Sequence, residues 1–218
     1  MTTQRTRAAL GFWLLMALIL LAAYALRVRG LDGAALTWDE GYSTWIMRLP
    51  IGQLLETTAR DVHPPLYYLT LRAYADVLGV THGEFTLRYL SVLLGLVSAA
   101  LVYTLGAAIG GRWTGVLAAA LLVIARANID IARDTRMHMM AMLWVTLALW
   151  AAVRWFKQPD KPRWLMVYAG GMVGALFTFY LTGMALIVTN VAFIVWWWQR
   201  RRPIRPLIQW GVTHVAVM

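Results

Sequence analysis

The sequence predicts an all-α fold, a polytopic bundle with about six complete transmembrane spans, the start of a seventh and a large helical loop after the first. Hydrophobic residues make up 61% of the 218 residues and charged residues only 14%, which lies outside the averages of soluble domains. Long stretches carry no charge, and seven of the ten acidic residues fall between positions 31 and 84. We therefore expect residues 1–218 to form one membrane domain, the amino-terminal part of a longer protein.

The first apolar segment, Ala8–Leu26, is nineteen residues without a charge, close to the ~20 that cross a bilayer. A basic start before an apolar run is also typical of a signal peptide. However, the run is longer than the usual apolar core of such a peptide, and Tyr24–Arg29 offers no small-x-small cleavage site. We therefore expect a retained anchor with its amino terminus in the cytoplasm.

Residues 30–86 are too polar to span and are expected to form the first outer loop. Apolar residues at helical spacing predict two short helices within Gly41–Arg60, interrupted at Pro50 and Gly52. A third helix is expected over residues 66–78, because prolines before it suit a first helical turn, where no backbone N–H is needed.

Five further spans follow from uncharged runs, with a second outer loop at 127–136. A last apolar run stops after twelve residues, too few for a span, hence the expectation of a longer protein. In order, the segments are Tyr89–Gly111, Trp113–Ala125 continuing towards Ile131 if Arg126 reaches the interface, Met137–Val153, a hairpin over Trp164–Gln199 turning near Tyr180–Gly183, and Leu207–Met218.

The distribution of charge tests this topology. With the amino terminus inside, the inner segments, which include Arg201 and Arg202, carry eleven of the twenty basic residues and a single acid, Asp160. The outer segments carry nine of each, and such an asymmetry is what the positive-inside rule expects. The net charge of +10 is then explained by the membrane, without a nucleic-acid partner. The absence of cysteine excludes disulfides, thiolate metal sites and cysteine nucleophiles.

Asp39 and Glu40 are adjacent carboxylates just beyond the first span. Like charges side by side can raise one pKa, and a carboxylate near apolar surface can act as a general base towards a hydroxyl or amine. The alternative is that Asp39 caps a helix beginning at Gly41.

His63 is a candidate metal ligand together with Asp61 or with the Asp39–Glu40 pair. It is also a candidate hydrogen-bond donor to a phosphate. It also suits a simple turn before a helix that starts with prolines. His138, at the start of the fourth span, fits an interfacial histidine.

Several arginines mark the outer ends of spans two to four, and guanidinium groups bind phosphate oxygens in a bidentate manner. Taken singly, each arginine can be explained by a side chain that reaches the lipid headgroups or pairs with a nearby acid. As a group on the outer side they oppose the topological preference and indicate an anionic ligand. They are Arg88, Arg126, Arg133 and Arg136. On the same face, Trp38 and Trp45 are candidates for stacking on a sugar.

Four motifs together resemble a known family. They are D-E at the head of the outer loop, H-P-P-L-Y-Y, L-R-Y-L-S-V-L-L-G-L at the second span, and I-A-R-D-T-R-M-H before the fourth. Over about Ala8–Tyr180 the chain resembles the integral-membrane glycosyltransferases of the GT-C fold. The resemblance is greatest to families 39 and 83, which include protein O-mannosyltransferases, aminoarabinose transferases and bacterial Rgt-type galacturonosyltransferases.

This resemblance implies hexosyl or pentosyl transfer, with inversion, from a polyprenyl-phosphate sugar to a lipid, glycan or protein acceptor. It places the site on the outer face of a bacterial inner membrane, in the cell envelope, with the donor and membrane lipids as partners. The oligomeric state and any cofactor stay open, although a divalent metal ion at Glu40 or His63 would be compatible. The implied roles are Asp39 as base, Glu40 as its support, Arg88, Arg136 and also Arg133 at the donor phosphate, and Asp61, His63, Pro64, Pro65 and Tyr67 shaping the loop. His138 stands where the family commonly has an aromatic residue.

Two other classes are compatible with the sequence. A multi-pass transporter or flippase for an anionic lipid would use the outer acids and arginines as a gate. Transporters usually hold such groups inside their spans, whereas these spans are nearly free of charge, which favours the enzyme. An inactive, truncated membrane fragment acting as a scaffold is the third class.

Overall fold

The protein is described here by a computed structural model covering residues 2–80, 83–200 and 203–217. Within these ranges all regular structure is helical, which confirms the predicted fold class. The helices are α1 (Thr2–Val28), α2 (Trp38–Arg48), α3 (Ile51–Ala59), α4 (Leu66–Leu78), α5 (Glu84–Gly110), α6 (Arg112–Ile124), α7 (Arg126–Ile131), α8 (His138–Lys157), α9 (Arg163–Leu176), α10 (Met184–Gln199) and α11 (Ile204–Val217). Arg201 and Arg202 of the predicted inner segment, and Met218 of the last apolar run, lie outside the described residues.

Four segments in the described part of the chain are long and apolar enough to cross a membrane. They are Leu10–Val28, Glu84–Gly110, His138–Lys157 and Tyr180–Gln199. The other two predicted complete spans, α6 and α9, have 13 and 14 residues. At ~1.5 Å per residue each is about 20 Å long, shorter than the ~30 Å apolar core of a bilayer.

The segment after α5 nevertheless runs back along the whole length of that helix. Near the end of α5, Gly106 lies against Gly115 of α6. At its beginning, the Ser91 hydroxyl donates a 2.6 Å hydrogen bond to the carbonyl oxygen of Asp134. α6, α7 and the turn after them therefore return the chain to the end at which α5 began.

The segment after α8 likewise runs back along α8. Trp150 and Trp164 form an edge contact with ring centroids 5.1 Å apart, and Gly174 packs against Trp144. Phe179, just beyond α9, then meets His138 at the start of α8, with a centroid distance of 5.6 Å. The turn falls where it was predicted, as a short 3-10 helix over Tyr180–Gly183.

Of the two alternatives for the third span, the structure has the short one. It does not continue as one helix towards Ile131, because Ala125 is extended, with ψ of 115°, and separates α6 from α7. Asn128 of α7 accepts a 2.5 Å hydrogen bond from the guanidinium of Arg27, the buried last cation of α1. This bond holds α7 across the end of α1, and Arg126 is exposed, 3.6 Å from Asp130.

The helices of the first outer loop cover the end of the bundle where α1 finishes and α5 and α8 begin, which we call the site end. The predicted short helices are confirmed as α2, α3 and α4, the last with the bounds expected from the sequence. Buried residues from these helices, α5 and α8 form one cluster, which includes Ile46, Leu54, Tyr67, Leu71, Leu87 and Met140. The loop is therefore a folded layer with its own core.

Replacing Gly115 with alanine is expected to destabilise the protein by about 1–3 kcal/mol, because a Cβ there would overlap the backbone and ring of Tyr103 on α5. Gly170→Ala is the matched control, since a Cβ at that helical position has no heavy atom within 4 Å. Apparent thermal unfolding temperatures in detergent, measured by circular dichroism, test this. Equal stability of the two variants would contradict the close approach of α5 and α6.

Candidate active site

The start of α2 is fixed by a reciprocal capping box between Thr37 and Glu40. The Thr37 hydroxyl accepts from the Glu40 backbone N–H at 3.4 Å, while Glu40 Oε2 accepts from the Thr37 backbone N–H at 2.9 Å. The alternative interpretation of Asp39 as the cap of a helix beginning at Gly41 is therefore wrong. The helix begins three residues earlier, at Trp38, and Asp39 lies in its first turn with its side chain directed outward.

Glu40 is completely buried and forms a bidentate ion pair with Arg88 of α5. Its two carboxylate oxygens accept from Arg88 Nε at 2.7 Å and Nη2 at 2.8 Å. The backbone N–H of Thr135 donates a further bond of 3.0 Å. Burial alone would raise the pKa of Glu40, but the hydrogen bonds from Arg88, Thr37 and Thr135 and the charge of Arg88 outweigh it and lower the pKa to about 2.

Arg88 is buried, and all five of its N–H groups have acceptors. Besides the two bonds to Glu40, Nη1 donates to the carbonyl oxygens of Leu31 and Ala34, both at 2.8 Å, and Nη2 to that of Ala35 at 3.2 Å. The guanidinium thus ties the loop after α1 and the start of α2 to α5. Binding a donor phosphate would require Arg88 to release bonds that hold this end of the protein together.

Asp39 and Arg136 form the open part of the site. The Asp39 side chain is 65% exposed, and its Oδ1 lies 3.4 Å from Nη1 of Arg136, whose side chain is only 13% exposed. The same Nη1 is 3.4 Å from the backbone carbonyl oxygen of Asp39. Because Thr135 is bonded to Glu40, the residue next to Arg136 is anchored to the same buried pair as α2. The buried Glu40–Arg88 pair therefore holds an accessible carboxylate and a cation side by side.

Arg133 and Asp134 attach the second outer loop to the end of α1 and to α5. Arg133 Nη2 donates to the carbonyl oxygens of Arg29 and Gly30 at 2.7 and 2.9 Å, which joins this loop to the end of α1. Burial raises the pKa of Asp134, and the Glu40 charge acts in the same direction. Arg133 and Asp134 line a cavity of about 250 Å³ behind the Glu40–Arg88 pair.

A second group of polar and aromatic side chains borders the site. Asp61 Oδ2 accepts a 2.9 Å hydrogen bond from the Tyr42 hydroxyl and lies 3.5 Å from His63 Nδ1. The ring of His63 stacks on Phe179, with centroids 6.1 Å apart and planes inclined by 13°. His138 contacts the same phenylalanine edge-on. The two histidines thus flank one ring that comes from the turn after α9.

The prolines and Tyr67 occupy structural positions in the described loop. Pro65 immediately precedes α4, as predicted, and Pro64 is buried. Tyr67 is also fully buried, and burial raises the pKa of its phenol, so it stays neutral and cannot accept a proton as phenolate. Pro64 and Tyr67 therefore lie in the interior of the loop and not at the open part of the site.

The donor set does not fit a metal ion at either predicted ligand. Both oxygens of Glu40 already accept hydrogen bonds from Arg88, and His63 has a single carboxylate beside it. Among the described residues, no group of three or more metal-ligating side chains comes together.

Sequence reasoning missed three contributors to the site. The role of Thr37 could be predicted from the sequence, because T-x-x-E before an apolar run is the pattern of a capping box. The pattern of the sequence indicates for Tyr42 only a place in a short helix, although its hydroxyl holds Asp61. Phe179 had no local signal, since its place beside His63 depends on the return of the chain after α9.

The arrangement defines a class of protein, a membrane protein of the GT-C glycosyltransferase fold. The structure matches that of the S. cerevisiae protein O-mannosyltransferase Pmt1–Pmt2 complex bound to the sugar donor, with a TM-score of 0.74 and 16% sequence identity. The match covers 95% of this chain and 31% of the yeast chain, so the sequence spans about a third of that relative's length. No curated protein sequence matches the chain significantly.

The family follows from the sequence itself. The family model described as dolichyl-phosphate-mannose-protein mannosyltransferase matches residues 62–218, which is most of the chain. The chain therefore belongs to this family, and the resemblance inferred from its motifs is confirmed. The matched region contains His63, Arg88 and Arg136, whereas Asp39 and Glu40 precede it.

Proposed function

We propose that this chain carries the donor and base sites of a membrane glycosyltransferase that moves a sugar from a polyprenyl-phosphate carrier to an acceptor, with inversion at the anomeric carbon. The observation that carries the proposal is the exposed carboxylate of Asp39 beside the guanidinium of Arg136. Family membership supports the donor class, because the family description names a dolichyl-phosphate sugar.

The reaction needs one base and one stabilised leaving group. Asp39 removes the proton from an acceptor hydroxyl or amine as that group attacks the anomeric carbon. The bond from the anomeric carbon to the phosphate oxygen breaks at the same time, and the lipid phosphate leaves with the electron pair. Arg136 stabilises the charge that develops on this phosphate, so no acid catalyst is needed. A single displacement of this kind inverts the configuration.

Glu40, Arg88 and Arg133 are assigned positioning roles. Their hydrogen bonds hold α2, the loop after α1 and the second outer loop together, which fixes Asp39 relative to Arg136. Phosphate binding is thus proposed for Arg136 alone among the predicted arginines, since the guanidinium of Arg88 is fully used in the protein.

The proposal places the site end at the outer face of the membrane and the amino terminus in the cytoplasm. The excess of basic residues in the opposite segments supports this orientation. A donor anchored in the bilayer also suits a site built where three helices reach one end of the bundle. A bacterial inner membrane is the proposed location.

The direct test is transfer of radiolabelled sugar from polyprenyl-phosphate donors, in membranes that contain the protein in its longest available form. Labelled product that depends on the protein is the expected result. Absence of transfer with every hexosyl and pentosyl donor, despite normal membrane levels, would contradict the proposal and favour the scaffold interpretation. Movement of intact donor lipid between leaflets without transfer would favour the flippase.

Replacing Arg136 with alanine is expected to lower kcat/KM for the donor by about 10- to 100-fold, because a charge-assisted contact to the phosphate is lost. Arg60→Ala is the control, since Arg60 is an exposed arginine of the first outer loop, paired with Glu56 at 2.7 Å. Initial rates at varied donor concentration measure the effect. Equal donor kinetics for the two variants would exclude Arg136 from the phosphate site.

A further inference from the structure

A groove of about 590 Å³ runs along the outward face of α2, beside Asp39. Its lining residues recur at helical spacing, so they form one face of the helix. They are Leu36, Thr37, Trp38, Gly41, Tyr42 and Trp45. None of them carries a formal charge, in contrast to the cavity behind Glu40 and Arg88.

Two tryptophans on this face are exposed. Trp38 is 88% exposed and Trp45 52%, although burial of two such large apolar rings would stabilise the protein. The rings of Tyr42 and Trp45 lie 5.7 Å apart with their planes inclined by 34°, so they form a nearly continuous aromatic surface. Gly41 leaves the floor of the groove open between Trp38 and this pair.

The groove is held rigidly relative to the proposed base. Thr37, at one edge, belongs to the capping box with Glu40, and Tyr42 is held by its hydrogen bond to Asp61. Asp39 follows Trp38 directly in the first turn of α2. A molecule seated on the tryptophans therefore lies next to the carboxylate that would take its proton.

We propose that this groove binds the acceptor of the proposed glycosyl transfer through an uncharged sugar ring, an inference that rests on the proposed function. One face of a sugar ring presents C–H groups that pack on the negative face of an aromatic ring, while its hydroxyls project from the edge. Thr37 and Tyr42 also line the groove, and the Tyr42 hydroxyl oxygen, whose proton is donated to Asp61, can accept a hydrogen bond from a sugar hydroxyl. The neutral lining excludes the phosphate of the donor, whose partner is Arg136.

The test is saturation-transfer difference NMR on the protein in nanodiscs of deuterated lipid. The probes are neutral sugars without an aromatic group: methyl α-mannoside, methyl β-glucoside and methyl β-galactoside. We expect saturation of the aromatic protein protons to reach ring C–H protons of at least one probe. Trp38→Ala should weaken binding of that probe about tenfold, the effect of losing one aromatic stacking contact.

Gly41→Leu provides the sharper variant, with Gly52→Leu as its control. A Cβ at either glycine meets no heavy atom within 4 Å, so a side chain has open space at both positions, but only Gly41 lines the groove. Gly41→Leu should abolish the signal and Gly52→Leu should keep it. No signal with any probe, or equal signals from both variants, would overturn the inference. Saturation transfer from the groove to an acyl chain or a peptide, and to no sugar, would also overturn it.

The same experiments distinguish a failure of the groove inference from a failure of the proposed function. Asp39→Asn should retain probe binding while losing transfer, because the groove does not depend on the carboxylate. Sugar transfer that is unaffected in Gly41→Leu would remove the groove from acceptor binding and leave the glycosyltransferase intact. Probe binding in a protein that transfers no sugar would instead contradict the proposed function alone.

Discussion

Replacing Asp39 with asparagine is expected to reduce sugar transfer by about 10²- to 10⁴-fold, the usual contribution of a general base. Asparagine has nearly the same shape and can keep a contact with Arg136, but it cannot accept the proton of the acceptor. Because the Asp39 side chain is 65% exposed and lies outside the capping box, the protein should fold and insert normally. Initial rates of transfer at equal membrane levels measure the effect.

Asp76→Asn is the matched control. The Asp76 side chain is 67% exposed, and its carboxylate lies 3.7 Å from Arg72, so it resembles Asp39 in exposure and in pairing with an arginine. It lies on α4, and its loss should leave transfer unchanged. If the two asparagine variants are equally active, Asp39 is not the base, and its contact with Arg136 is only a surface ion pair.

Replacing Glu40 with glutamine is expected to destabilise the protein by about 3–5 kcal/mol, because Arg88 is then buried without a counter-charge. The helix α2, the loop after α1 and the second outer loop all attach to this pair, so transfer should fall together with stability. Glu56→Gln is the control, since Glu56 forms an exposed pair with Arg60, and such pairs contribute little. Apparent thermal unfolding temperatures in detergent compare the two.

The same pair predicts a dependence of stability on pH. The pKa of Glu40 is about 2 in the folded protein, against an ordinary 4.5, so the unfolded chain binds more protons in acid. The corresponding stabilisation, roughly 3 kcal/mol, is present above pH ~5 and is lost as the pH falls towards 2. Glu40→Gln should flatten this part of the unfolding curve. An identical pH dependence in the variant would show that Glu40 does not carry it.

The sequence predicted the parts of the molecule that depend on local pattern. The uncharged runs located α5 and α8, and the prolines before residue 66 located α4 with its observed bounds. The D-E and R-D-T-R motifs pointed to residues that the structure brings together, Asp39 with Arg136 and Glu40 with Thr135. Periodicity and charge are read along the chain, which is why these features were accessible.

Other features depended on contacts that no local pattern encodes. Asp39 and Glu40 are adjacent in sequence, yet one is exposed and the other fully buried, because Glu40 lies on the buried face of α2 and Asp39 does not. Arg88 and Arg136 both looked like phosphate ligands, but the carbonyl oxygens of residues 31–35 surround only Arg88. Beyond the break at Ala125, α7 is held by the bond between Arg27 and Asn128, which are about a hundred residues apart in the chain.

The most direct test of the account is the anomeric configuration of the product formed from a polyprenyl-phosphate sugar of known configuration, read from the anomeric proton by NMR. A single carboxylate acting as base beside a cation that holds the leaving phosphate predicts an inverted product. A product with retained configuration would require a covalent intermediate on a nucleophile, and would contradict the roles assigned to Asp39 and Arg136.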